Sequence, residues 1–198
     1  MQVVCNYGAI LGIGFFVLVG ASSATALPGQ SIDEVASWMQ ANPTVRPRRG
    51  EKLLVRKQDS AAQSFSFQAS LLPPGKITAL ANGGIVRSEV LTLFDVRNGV
   101  TFDRLRASLR NIYGATLSQD YDRAQVIYTY PTANTIQHEV NRADPHRAAL
   151  QGELRQSDRY AYWLEVAQTS EGRATSGRLT VLLRDDVEKL AAELRNKE

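Results

Sequence analysis

The residues that enzymes most often use as nucleophiles, bases and metal ligands are scarce in this chain. It has one cysteine, Cys5, and two histidines, His138 and His146. A single thiol cannot form an internal disulfide, so no covalent staple supplements the packed core. The chain also lacks a nucleophile elbow, a glycine-rich phosphate loop and a paired-histidine metalloprotease signature. Long apolar runs are missing as well, apart from Gly8 to Gly20 (GAILGIGFFVLVG) near the N-terminus. That run is shorter than the about 20 residues a membrane-spanning helix needs, and it has the length of a signal-peptide core. Ala24, Thr25 and Ala26 follow with the small-x-small pattern of a signal peptidase site. Residues 1–26 are therefore read as a signal peptide cleaved after Ala26, leaving no membrane span. No Lys or Arg precedes the run, so an uncleaved anchor over Val3 to Val19 is the alternative. Cys5 lies ahead of the run, where a lipoprotein attachment cysteine does not, and the mature chain would hold no thiol.

Charge of one sign is also in short supply, except in one place. Arg46, Arg48, Arg49, Lys52, Arg56 and Lys57 against Glu51 leave +5 between residues 46 and 57, so the rest of the chain sums to −2 of a formal +3. A patch so local on an exported chain does not suggest nucleic acid as a partner. An envelope protein, or an anionic or glycan surface, suits it better.

The best-defined stretch runs from Val86 to Gly114. Glu89 to Val96 carries apolar side chains at alternate positions on both faces and reads as a buried strand. Asn98 and Gly99 permit a reversal, Thr101 caps a helix, and Phe102, Leu105, Leu109 and Ile112 make its apolar stripe up to a closing Gly114. Ahead of this unit, Ser31 and Glu34 form a capping box for a helix over 32–41, which Asn42 and Pro43 end. Pro43 to Gly50 is a connector. Lys52 to Lys57 and Ser64 to Leu71 read as strands, the second with Phe65, Phe67, Ala69 and Leu71 on its buried face. A loop follows over Ile77 to Gly84. Beyond the unit come a strand Gln125 to Tyr130, a weak helix within Thr132 to Ala143, and a hairpin of Arg147 to Gln156 with Arg159 to Gln168. A strand Arg178 to Arg184 and a helix started by Asp185 and Glu188 close the chain.

Setting LTLFD (Leu91 to Asp95) on LTVLL (Leu179 to Leu183) also brings FDRLRASLRN onto VEKLAAELRN, with Leu105, Ala107, Leu109, Arg110 and Asn111 repeated as Leu190, Ala192, Leu194, Arg195 and Asn196. The fold class expected is α+β: an antiparallel sheet with helices on one face, built from two pseudo-repeated β-β-β-α units. The expected organisation is a signal peptide over 1–26, an N-terminal helix and basic connector over 27–50, and one globular domain over 51–198.

Two functional readings follow. In the first, the chain is an exported, non-enzymatic binding or assembly protein of a bacterial envelope, in the periplasm or an equivalent compartment, with no cofactor and no metal. Its candidate binding residues are the cations Arg46, Arg48, Arg49 and Arg56, together with Tyr128 and Tyr130, side by side on the outer face if Ile127 faces the core, and Trp163, which with Arg159 would form a similar outward patch. In the second, His138, Glu139, Asp144 and His146 assemble a small hydrolase or metal-dependent site, although their spacing matches no standard ligand pattern. The first reading is preferred, because no acid, base and nucleophile converge in the pattern.

Overall fold

A computed structural model describes residues 27–75, 84–131, 150–168 and 172–196. The leader over 1–26, most of the Ile77 to Gly84 loop, the Thr132 to Ala143 helix and the cluster of His138, Glu139, Asp144 and His146 lie outside the described residues. Among those described, no helix is long and apolar enough to cross a membrane.

The elements run α1 (Ile32–Ala41), β1 (Leu54–Ser60), β2 (Gln63–Ser70), β3 (Ser88–Asp95), α2 (Phe102–Tyr113), α3 (Ala115–Arg123), β4 (Gln125–Tyr130), β5 (Leu150–Gln156), β6 (Tyr160–Gln168), β7 (Ala174–Leu183) and α4 (Val187–Arg195). The described strands form one antiparallel sheet in the order β1-β2-β3-β7-β6-β5-β4. The class is α+β.

Local sequence accounts for most of these elements. The Ser31 hydroxyl accepts from the Glu34 amide at 3.4 Å while the Ser31 amide donates to the Glu34 carboxylate at 2.8 Å, which starts α1. At the end of β3, Asp95 is buried and turns the chain: one oxygen accepts from the amides of Arg97 (3.0 Å) and Asn98 (2.8 Å), the other from Gln63 (3.0 Å) and Arg104 (2.8 Å). The Asn98 amide above all, helped by the Arg104, Asn98 and Gln63 side chains, holds this carboxyl far below its ordinary value against the opposing effect of burial. Gly99 (φ 74°) completes the reversal, and a Cβ there would press on the Ala174 carbonyl at 3.0 Å.

The two faces of the sheet are covered differently. On the front, Val55, Phe67, Leu91, Leu164, Leu179 and Val181 pack under α1, α2 and α3 through Val35, Met39, Leu105, Leu109, Leu117 and Tyr121. Val45 of the connector is fully buried in the same core, so residues 27–50 pack onto the domain that follows them. On the back, Leu154, Ala161, Trp163 and Leu182 pack under α4 through Val187, Leu190, Ala191 and Leu194. The expectation of helices on one face therefore describes α1, α2 and α3, while α4 crosses to the other side. The cause lies in Leu154, Ala161, Trp163 and Leu182 on the back of β5, β6 and β7, an apolar patch that needs cover.

That crossing also decides the internal echo. Three strands lie on one side of the β3-β7 seam and four on the other, β4 having no counterpart, and at the seam Leu91 pairs with Leu179, the residue aligned with it in sequence. A two-fold axis normal to the sheet at that pair would exchange the strands and put both following helices on one face. They lie on opposite faces, so the structure does not confirm two equivalent β-β-β-α units. The start of α4 differs from expectation too. Asp185 and Glu188 form no capping box; a 3₁₀ turn over Arg184–Asp186 leads in, and Asp186 is held by the Arg87 guanidinium through bonds of 2.9 and 2.6 Å.

Candidate functional site

The basic connector is a fixed structure. Asn42 accepts from the amides of Thr44 (2.9 Å) and Val45 (3.4 Å) and donates to the Ile112 carbonyl (3.2 Å). Lys57 on β1 donates to the carbonyls of Thr44 (2.7 Å) and Pro43 (3.3 Å), which straps the connector beside the sheet's first strand. Arg46 donates to the Gln40 carbonyl at 2.8 Å, and the Arg48 amide donates to Glu51 at 3.1 Å. With the backbone pinned, Arg46, Arg48, Arg49 and Arg56 are all exposed. Lys52 pairs with Asp33 at 2.9 Å on the open surface, an ion pair of small energy. The side chains of Arg48, Arg49 and Arg56 make no ion pair among the described residues.

Arg56 also begins a row that crosses the back of the sheet. The register places Arg56, Ser66, Thr92, Arg178, Glu165, Gly152 and Tyr130 on neighbouring strands from β1 to β4. In a pleated sheet, directly paired residues share a face. At one end of the row the residues are locked together. Arg178 donates to Glu165 at 2.8 Å and lies 4.5 Å over the Trp163 ring; the Tyr130 hydroxyl donates to Glu165 at 2.6 Å and accepts from the Trp163 indole N–H at 2.8 Å. Burial first, then the Glu165 charge, drives the Tyr130 hydroxyl pKa well above the ordinary tyrosine value. The Tyr130 ring lies directly over Gly152, in space that any side chain at 152 would occupy.

At the other end the same face is open. Ser64, Ser66, Gln68 and Ser70 of β2, with Thr92 and Phe94 of β3, are exposed or half-buried, and among the described residues no helix lies over them. Among the described residues the back of the sheet thus has a sealed half and an uncovered half rich in hydroxyls and amides, with Arg178 on the boundary.

The sequence-predicted residues divide in the same way. Arg46, Arg48, Arg49 and Arg56 are exposed as expected. Tyr128, Tyr130 and Trp163 do come together, with Tyr128 and Tyr130 ring centroids 5.9 Å apart, but they form packing beneath α4; Trp163 is only 6% exposed. Ile127 packs with them, and a register slip between Val126 and Tyr128 puts it on that side. Arg159 lies over Tyr160, away from Trp163. Arg178 and Glu165 carry no local signal in the sequence, since only the β6-β7 register makes them neighbours.

Two further clefts bear on catalysis. One, of about 740 Å³, runs along α1 past Asp33, Glu34, Ser37 and Trp38, where Asp33 is paired with Lys52 and Glu34 with Ser31. The other, of about 380 Å³, includes Asp120, Arg123, Ser157 and Asp158, but Ser157 is engaged with the backbone of Tyr160 and Asp120 with the Tyr162 hydroxyl. Among the described residues no group of three or more His, Cys, Asp and Glu side chains is placed to hold a metal. No family model matches the chain, and neither a curated protein nor a solved structure matches it.

Proposed function

We propose that this chain is an exported, non-enzymatic binding or assembly protein of the bacterial cell envelope. The observation that carries the reading is the half of the back face left uncovered by the described residues, ending at an edge strand where Arg48, Arg49 and Arg56 make no ion pair among those residues. A face of serines, threonine and glutamine with one exposed Phe94 offers hydrogen bonds and a small apolar contact, which suits recognition of a macromolecular surface more than turnover of a small molecule. The apolar leader supports the address.

The test is site-specific photocrosslinking in the native envelope. A photoreactive residue replaces Gln68 on the open half, with Arg110 on the exposed side of α2 as the control. A discrete adduct from position 68, absent at 110, is the expected result. No adduct from 68, or equal labelling from both, rejects the reading.

A further inference from the structure

The unpaired backbone of β1 narrows down what kind of partner fits. The Ala69 amide donates to the Leu53 carbonyl at 2.9 Å, and bonding to β2 then recurs at every second residue of the antiparallel ladder, at Val55 and Lys57. The amides and carbonyls of Leu54, Arg56 and Gln58 consequently point away from the sheet, and among the described residues none of them has a backbone partner. Register is regular from Leu54 to Gln58 and slips only after it. The far edge is less receptive: β4 slips at Val126 and Tyr128 and is followed by Pro131.

We propose that the β1 edge receives an acidic extended segment of a partner protein, which adds as a further strand on Leu54, Arg56 and Gln58. The inference rests on the binding role proposed above. Backbone bonds would supply register, and Arg56, with Arg48 and Arg49 on the strapped connector, would supply selection by charge. A second copy of this chain is the wrong occupant, because antiparallel self-pairing centred on Arg56 would set like charges against each other. An unstructured polyanion would use the cations and ignore the backbone.

The probes are synthetic strand peptides of about seven residues that alternate valine and threonine with glutamate, a lysine counterpart, and a glutamate peptide N-methylated on its β1-facing residues. The readout is amide chemical-shift perturbation of the isotopically labelled protein. The glutamate peptide should shift Leu54, Arg56 and Gln58, the lysine peptide should not, and N-methylation should weaken binding ~10-fold. Gln58→Pro, which removes an outward N–H while sparing the β1-β2 ladder, should do the same, as should Arg48→Glu with Arg49→Glu. Equal binding of the methylated and unmethylated peptides, equal binding of the glutamate and lysine peptides, or no binding of the glutamate peptide each overturns the proposal. If any of these occurs while position 68 still gives its adduct, the edge is excluded and the binding role stands; loss of that adduct rejects the role itself.

Discussion

The two halves of the back face are made from strands of the same sheet, yet they solve opposite problems. In β6, Tyr160, Tyr162, Leu164 and Val166 face the front core while Ala161 and Trp163 face α4, so nearly every position is buried. In β2, Phe65, Phe67 and Ala69 face the front while Ser64, Ser66, Gln68 and Ser70 have no helix over them among the described residues. Among the described residues the sheet is therefore three layers deep at one end and two at the other, and side-chain alternation in β2 and β6 records which. A clean period of two marks β2 on the open half, and a largely apolar run marks β6 on the sealed half.

Substitutions that exchange the character of the halves should show the contrast in urea unfolding. The largest effect is expected for Leu190→Asp, which places an unpaired charge between α4 and the sheet and should cost about 4 kcal/mol. Gln68→Asp on the open half should stay within about 0.5 kcal/mol. Comparable losses at the two sites would mean that the halves do not differ in cover.

The next effect concerns the seam the halves share. Glu89 is fully buried on β3, and burial raises its pKa to about 7 even though the Tyr113 hydroxyl donates to it at 2.6 Å. The folded state thus keeps a proton that the unfolded chain releases near 4.5. Stability should be full below that value and fall as pH rises towards about 7, by about 3 kcal/mol in all. Glu89→Gln should flatten this decline and raise stability at pH 8. A decline of the same size in the variant would assign it to other groups.

Two smaller effects test the sealed half alone. Gly152→Ala drives a methyl into the Tyr130 ring and should cost about 2 kcal/mol, against a near-zero change for Ser66→Ala in the same cross-sheet row. Arg178→Gln removes a partly exposed ion pair and a cation over Trp163, so the cost should be only about 0.5 to 1 kcal/mol. Its clearer signature is a shift in Trp163 fluorescence; an unchanged spectrum would show that the guanidinium does not lie over the ring in solution.

Much of this architecture is written locally. The Ser31 box, the β3 turn at Asn98 and Gly99, the Thr101 cap and the ends of β4 are properties of a few adjacent residues, and each forms where those residues place it. Three features depend on partners distant in sequence. Helix α3 has only Leu117 and Tyr121 on its buried side, and its place is fixed by Tyr121 bonding to Glu153 and packing edge-on to Tyr162. Tyr128, Tyr130 and Trp163 read as an outward patch because their cover, α4, comes at the end of the chain. The Asp185 box is lost because Asp186 is drawn to Arg87. At the binding surface, the four arginines were legible from charge alone, whereas the free backbone of β1 and the Arg178-Glu165 pair required knowledge of register.

Arg87 and Asp186 stand 99 residues apart, and their bond closes the line where β3 meets β7. The middle of the sheet is thus completed by a strand that follows all the other described strands in the sequence. A nascent chain holds β1, β2 and β3 as a three-stranded fragment with β3's inner edge bare until β7 arrives. Deleting Ala174 to Leu183 would remove the keystone of this layer and leave its fringe, so a chain without β7 should fail to fold.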